Sequence, residues 1–162
     1  KHKKKAIPNK YKFTAVISGP EPQRSILESK IVNLFRQLTS ECAIIQGKPL
    51  SKNHKEHNID FFAHLNTDKF LDTINNSEII LCRSGYSNVM DFSALGKKVI
   101  FIPTPGQTEQ EYLANYHSEV SKVTSIRQSE ISLEKINSNT GIVIQPMCDE
   151  GLMNLAFGKA ML

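Results

Sequence analysis

The chain has 162 residues, 40% of them hydrophobic and 22% charged, the length and balance of one globular domain with a sizeable core, and too short for a second full domain. The formal charge of +4 is concentrated at one end, because six of the twenty Lys and Arg residues (Lys1, Lys3, Lys4, Lys5, Lys10 and Lys12) precede residue 13, where there is no acid. The remaining body is slightly acidic, which argues against nucleic acid as a partner. Residues 1–12 read as a solvated basic linker or tail, whose other use is attraction to anionic lipid headgroups.

Cys42, Cys82 and Cys148 are odd in number and widely spaced, with neither metal-site nor disulfide-framework spacing, so a reducing, cytoplasmic setting is expected. No apolar run approaches the ~18 residues that cross a bilayer. The chain lacks an initiator Met, opens in a linker-like stretch and stops inside an apolar, helix-like run from Gly151 to Leu162, so an excised piece of a longer protein is expected.

Six short runs rich in β-branched and aromatic residues predict strands: Phe13–Ile17, Cys42–Ile45, Ile59–Phe62, Ile79–Cys82, Val99–Ile102 and Ile142–Ile144. Between the first two, Ile26, Leu27, Ile31, Leu34, Phe35 and Leu38 share one face at helical spacing; Phe70, Leu71 and Ile74 do so in a shorter segment. Residues 47–58 are polar, carry Lys48, Lys52, His54, Lys55 and His57, and read as an exposed connection. The alternation of strand and helix predicts an α/β, doubly wound, Rossmann-like domain with a parallel sheet covered on both faces, which is why its strands are almost continuously apolar.

In such sheets ligands lie outside the carboxyl ends of the strands, so the loops that follow strands are the candidates. After the first strand, Ser18 and Gly19 let the backbone turn closely and lead into a helix whose unpaired N–H groups suit a phosphate, though an ordinary strand-to-helix turn has the same look. No GxGxxG or Walker sequence is present, and Pro20 and Pro22 remove two donors, which disfavours dinucleotide and ATP sites.

After Cys82, Arg83-Ser84-Gly85 precedes Tyr86-Ser87-Asn88 at the start of an apolar helix. Gly85 permits close backbone approach, Ser87 or Asn88 can cap the helix, and Asp91 is expected to face the same crevice, within reach of a ribose diol. Structurally, the same residues also read as an Arg83–Asp91 pair with Ser87 as a simple cap. Lys98–Pro103 leads to Thr104-Pro105-Gly106, with Thr108 as the expected N-cap of the next helix and Glu109 and Gln110 either favoured by its dipole or projecting toward sugar hydroxyls. His54, His57 and His117 read as surface side chains, His2 belongs to the tail, and His64 lies at a strand end; Met147, Met153 and Met161 read as core or domain-contact residues.

Taken together, Arg83–Asp91, Ala94–Pro103, Gly106–Gln110 and Asn115 resemble the donor-binding signature of the MurG-like glycosyltransferases, in their family 28 C-terminal domain. The resemblance implies one half of a GT-B fold and an inverting transfer from a UDP-sugar to an acceptor hydroxyl, with no obligatory cofactor or metal. It also implies a catalytic base and acceptor site in an N-terminal domain or partner subunit, and peripheral membrane association of the complete protein. By position, Ser18, Gly19, Arg83, Gly85, Ser87, Asn88 and Asp91 fall at the nucleotide and diphosphate, His64 and Leu65 at the base, and Gly106, Thr108, Glu109 and Gln110 at the sugar. The chain departs from the pattern at Ser18–Pro22, where relatives have a Gly-Gly-Ser type turn, at Tyr86, where a small residue is common, and at Thr108-Glu109, where an Asp is common. Two other readings are a non-catalytic nucleotide-sugar-binding subunit that works with a separate membrane-bound partner, and half of a GT-B-type UDP-sugar epimerase.

Overall fold

The computed structural model describes residues 9–139 and 141–144. Most of the basic tail, Cys148, the three methionines and the closing apolar run lie outside the described residues.

The chain alternates as the apolar runs predict: β1 (Tyr11–Val16), α1 (Gln23–Phe35), β2 (Cys42–Ile45), β3 (His54–Glu56), β4 (Ile59–Phe62), α2 (Thr67–Asn75), β5 (Ser77–Cys82), α3 (Tyr86–Ala94), β6 (Lys98–Phe101), α4 (Thr108–Val120), β7 (Thr124–Ser125), α5 (Leu133–Asn137) and β8 (Ile142–Val143). They form one sheet in the order β3-β4-β2-β1-β5-β6-β7, with β8 also paired to β6. The central pairings β4-β2-β1-β5-β6-β7 are parallel.

Two features correct the expectation of a purely parallel sheet and an irregular 47–58 connection. Residues His54–Glu56 pair antiparallel with β4 and close that edge, and β8 runs antiparallel to β6. The edge strand escapes a hydrophobic pattern because it has one strand neighbour and faces solvent. Only His54 stacks on an apolar ring, with its centroid 4.5 Å from that of Phe61. The strand β1 also begins two residues earlier than its apolar run, since Tyr11 reaches Asp60 with its hydroxyl at 2.6 Å and Lys10 and Lys12 pair with Asp60 and Glu78.

Alternate residues of each strand supply two cores. Phe13, Ala15, Cys42, Ile44, Ile79, Leu81 and Ile100 pack with Leu27, Ile31 and Phe35 of α1 and Ile136 of α5. Ile45, Ile80, Cys82, Val99 and Phe101 face the other way, against Ile74 of α2, Val89 and Phe92 of α3, and Ala114 of α4. The chain thus leaves β1 for one layer on its way to β2, and uses the opposite layer for the crossovers from β4 to β5, β5 to β6 and β6 to β7. The reversal falls between β1 and β5, where a doubly wound sheet opens a crevice at its carboxyl edge. Beneath it, the buried Thr14 and Ser77 hydroxyls lie 2.6 Å apart, and Ser77 also donates to the Thr73 carbonyl at 2.6 Å, so β1, β5 and α2 are joined by satisfied polar contacts.

The expectation of a surface His117 is overturned. The side chain is 1% exposed on the inner face of α4, against Phe101 and perpendicular to Tyr116, and neither ring nitrogen has a hydrogen-bond partner among the described residues. Its polarity hides an apolar position at i+4 from the buried Leu113. Burial pushes its pKa below the ordinary 6.5, so the folded chain holds it neutral while the unfolded chain takes up a proton as pH falls through 6.5. This histidine therefore contributes nothing to pH dependence well above that value and destabilises the fold below it. Between about pH 7.5 and 5, the urea midpoint of His117→Phe should fall less than that of the native chain. Parallel curves would remove His117 as the cause.

Candidate functional site

The loops after β1, β5 and β6 meet at the crevice, and Arg83 holds them there. This side chain is 1% exposed and lies in no ion pair among the described residues. Its Nη1 donates to the carbonyls of Ile102 at 3.0 Å and Pro103 at 3.3 Å, Nη2 donates to Gln23 at 3.1 Å, and Nε to Ser18 at 3.4 Å. Four backbone acceptors on two other loops are matched by the planar fork of one guanidinium, a set that lysine cannot span. Burial lowers its pKa to about 10, which still leaves it charged at neutral pH. Of the two local readings of Arg83, the Arg83–Asp91 pair does not form; Asp91 is exposed on the second turn of α3.

Other bonds tie the same loops. Asn88 donates to the Arg83 carbonyl at 2.9 Å, and the buried Ser84 hydroxyl donates to the Gln110 carbonyl at 2.6 Å. Gly19 has φ +107°, a conformation that favours glycine, and a Cβ there would sit 3.5 Å from Thr104 Oγ1 and 3.8 Å from Arg83 Nε. The Thr104 hydroxyl is itself buried and without a partner among the described residues.

The helix starts around the crevice differ in charge and in satisfaction. At α1, Glu21 occupies the N-terminus: its carboxylate accepts from the Ser25 N–H at 3.2 Å and hydroxyl at 2.9 Å, and Ser25 holds its pKa below the usual carboxylate range. The start of α2 is capped by Asn66, which accepts from Lys69 N at 3.0 Å, and carries Asp68. The first turn of α4 carries Glu109 and Glu111. At α3 the cap position is Gly85, with no side-chain acceptor, no acid in the first turn, and open space around the point where its Cβ would stand. This corrects the expectation that Ser87 or Asn88 caps the helix: Ser87 is exposed inside the first turn and Asn88 turns back to Arg83. Likewise Thr108 is the first residue of α4 rather than its cap, the cap position being Gln107.

The remaining candidates sit around this centre. His64 is exposed just beyond β4, and the half-buried Leu65 packs on the α2–α4 core. Gly106 (φ +80°), Thr108 and Glu109 are exposed at the start of α4, while the Gln110 side chain is held inside the loop by Thr104 N at 2.9 Å and Gln107 Oε1 at 2.5 Å. Thr104 and Gln107 were not singled out by the sequence. Their place, directly after a buried strand and before an acid-rich helix start, was the available signal. Burial pushes the thiol pKa of Cys42 up to about 12 and that of Cys82 higher still, so neither is a nucleophile. Among the described residues no group of three His, Cys, Asp or Glu side chains converges as a metal site would, and no helix is long and apolar enough to cross a membrane.

A Rossmann-like domain with its polar loops gathered at the switch of strand order serves many activities, and likeness to known proteins narrows them. The solved structure of MurG from Acinetobacter baumannii superposes with a TM-score of 0.60 at 17% identity, over 85% of this chain and 44% of that one. The glycosyltransferase SnogD from Streptomyces nogalater superposes with a TM-score of 0.57 at 10% identity, over 93% of this chain and 37% of that one. The glycosyltransferase family 28 C-terminal domain model matches residues 15–156, and the chain belongs to that family.

Among curated relatives, the UDP-N-acetylglucosamine--N-acetylmuramyl-(pentapeptide) pyrophosphoryl-undecaprenol N-acetylglucosamine transferase of Pasteurella multocida is 27% identical over 137 residues, covering 78% of this chain and 38% of that protein. The enzyme of the same description from a Sulfurihydrogenibium species is 24% identical over 130 residues, covering 78% and 37%. The chain thus spans little more than a third of the length of these relatives.

Replacing Arg83 with Met or Lys leaves buried carbonyls unpaired on the loops after β1 and β6. Urea unfolding should show a loss on the order of 3 kcal/mol or more for both variants. Native-like stability in Arg83→Met would show that the loops are held by other contacts.

Proposed function

We propose that this chain binds the UDP-sugar donor of an inverting, MurG-type glycosyltransferase. The observation that carries the reading is the bare N-terminus of α3 beside the Arg83-stapled loops. Backbone N–H groups without a side-chain acceptor stand at the switch crevice there, and the loop leading into them carries a buried guanidinium that pairs with no carboxylate among the described residues.

In this reading the diphosphate lies between Gly19 and residues Gly85–Asn88, with Ser18 and Arg83 shaping the floor. Asp91 serves the ribose, the His64–Leu65 loop serves the base, and Gly106, Thr108, Glu109 and Gln110 serve the sugar. Glu21 narrows the assignment on the β1 side, since a carboxylate already bound at the start of α1 leaves α3 as the principal phosphate anchor.

The chemistry is a displacement at the anomeric carbon. An acceptor hydroxyl oxygen forms the new C–O bond as the bond from that carbon to the β-phosphate oxygen breaks. UDP leaves with the bonding pair, and the hydroxyl proton passes to a base outside this chain. This domain stabilises the leaving diphosphate with preorganised N–H dipoles and the buried Arg83 charge, so no metal is obligatory. The names of the relatives make UDP-N-acetylglucosamine the first donor to test and a lipid-linked sugar the first acceptor class, with the complete enzyme at the cytoplasmic membrane face.

The acceptor site and base would come from a preceding domain of the same polypeptide. The short share of the relatives that this chain covers equally suits a subunit completed by a separate membrane-bound partner.

Titration calorimetry tests the donor site. UDP and UDP-N-acetylglucosamine should give saturable heats and raise the melting temperature; silence at about 1 mM ligand would sink the assignment. A second variant separates the site from the fold. Gly85 has φ −68° and room for a side chain, so Gly85→Asp should cap α3 and stabilise the chain by about 0.3 kcal/mol, while its carboxylate displaces the diphosphate. A more stable variant that still binds UDP as well as the native chain would place the phosphate elsewhere.

A further inference from the structure

The Pro103–Gln107 loop is folded around one carboxamide. Gln110 Oε1 accepts from Thr104 N at 2.9 Å and its Nε2 donates to Gln107 Oε1 at 2.5 Å. The loop is closed further by Gln107 N donating to the Thr104 carbonyl at 3.1 Å and by Gly106 N donating to Glu111 Oε1 at 3.0 Å, while Ser84 fixes the Gln110 backbone.

A backbone amide can only donate, so Thr104 N requires the oxygen end of the Gln110 side chain; Gln107 supplies an acceptor for the nitrogen end. Both contacts select the same orientation of a group that otherwise rotates freely about its last torsion. One Nε2 hydrogen and one Oε1 lone pair are left over, and Gln110 is only half-buried.

We propose that Gln107 is a positioning residue for sugar recognition: it holds Gln110 so that its remaining N–H meets a hydroxyl oxygen of the donor's sugar. The inference rests on the donor-site reading above. It assigns to Gln107, a residue that touches no substrate, the discrimination between a nucleotide that carries a sugar and one that does not. The bare nucleotide has no group in this part of the crevice, so its affinity is independent of Gln107.

Calorimetry on the full chain with UDP and UDP-N-acetylglucosamine provides the test. In Gln107→Leu the acceptor is lost, and affinity for the nucleotide-sugar should fall about fivefold to tenfold, as for one oriented hydrogen bond, with UDP affinity unchanged. Gln107→Glu keeps an acceptor oxygen and should restore the native ratio of the two affinities. An unchanged ratio in Gln107→Leu, equal losses for both ligands, or no rescue by Glu overturns the proposal.

A measurement on the native chain covers the case of a variant that does not fold. The Gln110 side-chain amide resonances in a nitrogen-15 spectrum should shift on adding UDP-N-acetylglucosamine and stay in place with UDP. Identical spectra with the two ligands overturn the role of Gln107, whereas a native chain that binds neither ligand overturns the donor site itself.

Discussion

A buried cation without a carboxylate is the constraint on which both fold and site depend. Taking a guanidinium out of water is costly, and Arg83 recovers that cost through four carbonyl contacts drawn from the loops after β1 and β6. Carbonyl dipoles solvate the charge without cancelling it. A paired Asp or Glu would have neutralised that charge; the arrangement found keeps a positive centre in the loop that leads into the bare helix start. Its pKa, depressed to about 10, reflects burial and still lies far above neutral pH. The same residue therefore joins the loops and leaves a positive charge among them.

Much of this was legible in the sequence, for a physical reason. Central strands of a doubly wound sheet are covered on both faces, so β1, β2, β5 and β6 each carry a nearly continuous apolar run, and the helices between them one-sided stripes. The resemblance to the family was carried by Arg83–Asn115, and the family match extends it over residues 15–156. What escaped were elements whose burial is partial or whose chemistry runs against their position. β3 and β7 are short, and their backbones pair where their side chains carry no pattern. His117 occupies an apolar slot with a polar name. The partners of Arg83 are backbone carbonyls, which no choice of side chain announces, so a pair with Asp91 looked as reasonable as the staple that the fold builds.

Glycine and proline placement shows how the crevice remains open. Gly19 has φ +107°, which L side chains rarely adopt, while a Cβ there would meet Thr104 and Arg83 at ordinary van der Waals distance, so the backbone conformation rather than space asks for glycine. Gly85 has an ordinary backbone conformation and open space about it, and nothing in the geometry requires glycine. A capping Asp, Ser or Asn would stabilise α3 at that position. Leaving it bare forgoes stability at one of the two helix starts, α1 and α3, that adjoin the strand-order switch, which is the pattern expected where binding rather than folding determines the residue.

The charges on the helix starts then divide the proposed site into an anionic and a neutral part. The start of α1 is already occupied by Glu21, α2 by Asn66 and Asp68, and α5 by Ser132 and Glu134, so their dipoles are satisfied from within the chain. At α4 two acids, Glu109 and Glu111, face the dipole, and a phosphate placed there would be repelled. Hydroxyl groups would not be, since carboxylates and carboxamides accept and donate to them without a charge penalty. Only α3 among the described helices combines a free N-terminus with the absence of acid in its first turn. A ligand with a doubly charged diphosphate joined to a polyhydroxylated sugar, lying with its diphosphate on α3 and its sugar toward α4, fits that division; a free phosphate would use only half of it.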